Sequence, residues 1–72
     1  LRKPDEAIAD FSRGIALNPQ NASLFAGRGW ALQQKQAFAE SMADLDHALA
    51  LDPHNVSSLT NRALALVKAE RY

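Results

Sequence analysis

Pro19 and Pro53 stand 34 residues apart, and each sits in almost the same phrase: "GIALNPQN" at 14–21 and "ALALDPHN" at 48–55. Sliding the chain of 72 residues by 34 leaves 38 aligned pairs, of which 11 are identical. They include Glu6/Glu40, Ala9/Ala43, Asp10/Asp44, Leu17/Leu51, Asn21/Asn55, Arg28/Arg62 and Leu32/Leu66. Further pairs keep size and polarity: Phe11/Leu45, Gly14/Ala48, Ile15/Leu49, Gly29/Ala63 and Phe38/Tyr72. A chain that repeats on this period uses one supersecondary unit more than once. Such a unit buries its apolar face only against its neighbours.

The unit reads as two helices. Alanine and leucine dominate and β-branched residues are scarce, which is helical composition. Residues 4–17 place Ala7, Ile8, Phe11, Gly14 and Ile15 at three- and four-residue spacings, so one helix face carries them all. Pro4 suits a first helical turn, and Asp5 and Glu6 suit the positive end of the dipole. The same spacing predicts helices over 22–35 (Phe25, Gly29, Leu32), 38–51 (Met42, Leu45, Ala48, Leu49) and 56–70 (Leu59, Ala63, Leu66). Asn18 and Asp52 precede prolines and are biased out of helical conformation, so the first and third helices stop there. Asn21 and Asn55 are placed to cap the helices that follow. Both asparagines also fit the glycosylation pattern (Asn21-Ala22-Ser23 and Asn55-Val56-Ser57), but the sequons recur because the caps recur.

A two-helix unit of 34 residues has the period of the tetratricopeptide repeat, and the whole chain resembles that family. The likeness rests on "RGWAL" (28–32), with small Gly29 and bulky Leu32, in the first helix of the unit. The second helix adds small, bulky, small and proline (Ala7, Phe11, Gly14, Pro19; then Ser41, Leu45, Ala48, Pro53). Two departures stand out: Gln36 occupies the family's turn-glycine position, and Arg28 and Arg62 occupy a leucine position. The resemblance implies an all-α fold of antiparallel helix-turn-helix repeats stacked as an α-solenoid, a right-handed superhelix, with four helices here. Residues 1–21 then hold the second helix of a preceding repeat, 22–55 one complete repeat, and 56–72 the first helix of a following one. On that phase the chain is a piece of a longer array. Gly14, Pro19, Arg28, Gly29, Asp44, Ala48 and Pro53 have structural roles, with Arg28 expected to pair with Asp44 or Asp10 between packed helices.

The family's concave groove is lined by first helices. By resemblance the groove-facing set is Ser23, Ala26, Gly27, Trp30, Gln33 and Gln34, followed by Ser57, Thr60, Asn61, Leu64 and Lys68. Trp30, Gln33, Gln34, Asn61, Leu64 and Lys68 are the residues expected to meet a partner. Trp30 lies about 140° round its helix from Phe25, away from the apolar stripe. It is either an exposed anchor in the groove or a packing residue against the next first helix, near Leu64 or Asn61. The family's carboxylate clamp for chaperone tails finds only Asn61 in a matching column, so that ligand is not expected.

Other chemistry is excluded residue by residue. Eight basic and eight acidic side chains cancel, without the basic surplus of a nucleic-acid binder. There is no cysteine, and two histidines (His47 and His54) without convergent ligands make no metal site. Asp44, Asp46 and His47 diverge as helix neighbours, and no phosphate loop or nucleophile elbow is present. No cofactor and no catalysis are expected. No apolar run reaches membrane-spanning length and no leader opens the sequence, which with the lack of cysteine points to the cytoplasm. The expectation is a non-catalytic protein-interaction scaffold for a protein or peptide ligand, acting without nucleic acid or membrane. Two alternatives stand beside it: head-to-tail self-assembly through the terminal helices as a homo-oligomer, and a recruitment region of a larger enzyme such as a glycosyltransferase.

Overall fold

The computed structural model describes residues 3–71; Leu1, Arg2 and Tyr72, the last aligned with Phe38 by the repeat, lie outside them. The described residues are all-helical, with no strand among them: α1 Pro4–Leu17, α2 Ala22–Gln34, α3 Phe38–Leu51 and α4 Val56–Arg71. Two ends differ from the expected ranges by one residue. Lys35 is the cap of α2 and not its last member, and α4 runs on to Arg71.

The repeated phrase stops and starts helices in the same way twice. Asn18 (φ −144°) and Asp52 (φ −145°) leave helical space, and their N–H groups close the last turns onto Gly14 and Ala48 at 2.8 Å. Asn21 Oδ1 then accepts from the Ser23 N–H at 3.0 Å, and Asn55 Oδ1 from the Ser58 N–H at 2.8 Å. Each satisfies one of the orphan donors of a first turn. The other break, between α2 and α3, is a left-handed cap. Gln36 has φ 64°, its N–H bonds the Gln33 carbonyl at 2.9 Å, and the Ala37 N–H bonds the Leu32 carbonyl at 3.0 Å. This paired closure is the Schellman arrangement, in which glycine is the favoured left-handed residue. Gln36 fills that place with a side chain.

α2 is the central element: it packs on α1, α3 and α4, and α4 also lies on α3. The core is Ala22, Phe25 and Ala26 of α2 with Ala48 of α3, flanked by Ile15 and Leu51. At Gly29, α2 comes close against α3. A Cβ there would stand 2.8 Å from both Cγ and Cδ2 of Leu45, which is fully buried. The Ser41 hydroxyl donates to the Gly29 carbonyl at 2.7 Å across the same contact.

The expected stripe on α4 is not covered. Leu59, Ala63 and Leu66 are exposed, and the residues that α4 buries are Ser58 and Ala65. The reason is the neighbours. In α2 the same repeat columns (Phe25, Gly29, Leu32) lie under α3, whereas α4 meets α2 and α3 through a different face and nothing among the described residues covers the stripe. α1 likewise has no fully buried residue, its Ile8, Phe11 and Ile15 being half-buried.

Candidate functional site: the α1/α2/α4 cleft

Between α1, α2 and α4 lies a cleft of about 290 Å³ lined by Phe11, Ser23, Ala26, Gly27, Trp30, Ser57 and Asn61. Gly27 lets the α1 side chain in: a Cβ at this position would overlap the Phe11 ring. Trp30 is 47% exposed, so the indole is neither free of the protein nor packed away. Ser23 and Ser57 bring hydroxyls and Asn61 an amide, and no lining residue is ionisable. A charged group entering this lining would meet hydroxyl and amide dipoles but no counter-charge, so the cleft suits neutral groups better than charged ones.

Of the six residues expected to meet a partner, Trp30 and Asn61 line this cleft. Gln34 and Leu64 are exposed and Lys68 half-buried outside its lining. Gln33 is a correction. It is 2% exposed and its Nε2 donates to the Asn61 carbonyl at 3.0 Å, tying α2 to α4 beneath the surface. Its Oε1 has no hydrogen-bond partner. A helix face defined by sequence spacing includes the residue at its edge, and the crossing of α4 over α2 buries that edge. Phe11 was missed in the other direction, because its column is a packing column in the second helix. The readable signal was Gly27, a small residue where the next unit has Asn61.

Two of the residues expected to be structural, Arg28 and Asp44, form a polar joint beside the core. Arg28 donates from Nε and Nη2 to the two oxygens of Asp44 at 2.7 and 2.9 Å, and from Nη1 to the Ser12 hydroxyl at 3.2 Å. Of the two carboxylates considered, Asp44 thus takes the bidentate pair, and one guanidinium bridges α1 and α3 across α2. Hydrogen bonding to Asp44 holds the Arg28 proton above the ordinary guanidinium range, partial burial opposes this, and the charge of Asp44 adds to it. The guanidinium also lies 5.7 Å from the centre of the Phe25 ring, and His47 stacks on that ring at 4.1 Å. Arg62, one period on, repeats half of this pattern. Its Nε donates to Asp46 at 2.8 Å, and Asp46 stands in the column of Ser12. Lys35 pairs with Asp5 at 2.6 Å, an exposed contact between the α2–α3 turn and α1.

Among the described residues no group of three or more His, Asp or Glu side chains is placed to hold a metal, and no helix is long and apolar enough to cross a membrane. No family model, curated protein or solved structure matches the chain.

Proposed function

We propose that this chain is a non-catalytic protein-interaction module of the tetratricopeptide-repeat kind. Its α2 and α4 form part of the concave face of a right-handed solenoid, and the cleft beside Trp30 takes a side chain from an extended peptide. The observation that carries this reading is the half-exposed indole of Trp30 at a cleft lined only by neutral groups. The 34-residue self-similarity and the repeated caps support the family reading. Aromatic residues held at a partly desolvated site are the usual anchors of binding, and truncating one costs about 2 kcal/mol or more. The lining selects an apolar or aromatic side chain, with Asn61 and the serine hydroxyls available to the peptide backbone.

Selection of a random displayed-peptide library on the chain tests this. Enriched peptides share a neutral apolar or aromatic residue, and their affinity falls about tenfold or more in Trp30→Ala, whose far-UV circular dichroism at the binding temperature stays that of the folded parent. Peptides that bind parent and variant equally, or an enriched acidic motif, overturn the reading.

A further inference from the structure

Among the described residues, the most exposed large apolar side chains fall in columns that meet each other inside the molecule. Leu17 is 84% exposed, Val56 73% and Leu59 51%. One period away, Leu17 corresponds to Leu51, Val56 to Ala22 and Leu59 to Phe25. Ala22 and Phe25 belong to the core, and Leu51 packs against it. The molecule therefore displays on α1 and α4 the two halves of a contact that it already makes between α3 and α2. Arg62 extends the parallel: it holds Asp46 as Arg28 holds Ser12, and Asp10 stands in the column of Asp44, the other partner of Arg28.

We propose that α1 of a second copy docks on the exposed face of α4 as α3 docks on α2, so that the chain associates head to tail. The same placement lays α2 of the second copy beside α4 of the first, as α4 lies beside α2 here, and extends the α2/α4 face. The contact joins unlike surfaces, so each docked copy leaves an α4 face for the next and the series does not close at two. It is looser than the internal one. Ala63 carries a methyl where Gly29 has none, and a Cβ at Gly29 would stand 2.8 Å from Leu45, whose column Phe11 fills. Association is therefore weak and concentration-dependent.

Sedimentation or light scattering of the 72-residue chain over a concentration series, together with two variants, tests the contact. The parent rises in average mass above 7.9 kDa with concentration and reaches no single limiting size. Leu17→Asp breaks the α1 side and Leu59→Asp the α4 side, both at side chains that are mainly in solvent. Each variant alone stays at 7.9 kDa, while an equimolar mixture gives a species of twice that mass and no larger one, through the one intact pair of faces. Helicity by circular dichroism confirms that both variants are folded. A parent that stays monomeric throughout, a single variant that still associates, or a mixture that stays monomeric overturns the proposal. The first of these results assigns the α4 face to some other occupant.

Discussion

Replacing Gln36 by glycine is expected to stabilise the chain, and replacing Gln34, two residues earlier, to do the opposite. Gln36 has φ 64°, inside the left-handed region, where a residue with a Cβ pays roughly 1–2 kcal/mol relative to its right-handed conformation. Glycine removes that strain but enlarges the entropy of the unfolded chain by about 0.4–1 kcal/mol. The Gln36 side chain is exposed, so little packing is lost, and both Schellman hydrogen bonds use backbone atoms that the substitution leaves in place. The net gain is about 0.5–1 kcal/mol. In a domain of this size 1 kcal/mol moves the midpoint by roughly 4–8 °C, so the melting temperature rises by about 4 °C. Gln34 is exposed too but is the last helical residue of α2, and glycine there costs up to about 0.5 kcal/mol, the low end of its cost inside a helix. Thermal and urea melts of the three proteins by far-UV circular dichroism give the comparison, with an unchanged urea slope showing that the transition is the same one. A destabilised Gln36→Gly, or the same sign at both positions, refutes the strain argument.

Two further contrasts follow from residues that share a chemistry but not a neighbourhood. Arg28→Ala leaves the largely buried Asp44 carboxylate without its bidentate partner and is expected to cost about 2–3 kcal/mol by urea titration. Arg62→Ala, from the same column but with an exposed partner, Asp46, is expected to stay within about 0.5 kcal/mol of the parent. Similar losses in both refute this. Gly29→Ala places a methyl against fully buried Leu45 and is expected to lose about 1–2 kcal/mol despite the better helix propensity of alanine. Gly14→Ala meets only the half-buried Leu24 tip at 3.3 Å and is expected to be neutral or mildly stabilising on the same titration.

The helices were legible in the sequence because their ends are marked by residues whose physics is local. Proline constrains the residue before it, and asparagine caps with its own side chain, so residues 18–22 and 52–56 could be read without knowing any neighbour. The Gln36 turn was the exception: only the resemblance pointed to it, by putting Gln36 at a turn-glycine position, since a glutamine does not by itself announce a left-handed cap. Burial was less legible, because spacing tells which residues share a face and not which helix covers it. Phe25 and Leu59 stand in one column, yet the first is 7% exposed and the second 51%, since α3 lies over one and not the other. Arg28 and Arg62 diverge for the same reason, as only Arg28 has helices on both sides.

The cleft was hardest to read because it is built where the two units differ. The identical columns keep the fold: Pro19/Pro53 and Asn21/Asn55 set the joints, and Ala31 and Ala65 are both completely buried. Among the cleft's seven lining residues only Ser23 and Ser57 form an identical pair. The others fall in columns that change from one unit to the next: Phe11/Leu45, Ala26/Thr60, Gly27/Asn61 and Trp30/Leu64. These changes are physically linked. The Phe11 ring occupies the space a Cβ at position 27 would need, so the bulky ring on α1 and the glycine on α2 depend on each other. One unit on, Leu45 packs against Gly29, and position 61 carries an amide that lines the cleft. A chain made of two identical units could not carry the glycine that admits Phe11 and the amide of Asn61 in the same column. The repeat therefore supplies the frame, and its departures at 11, 27 and 30 supply the cleft.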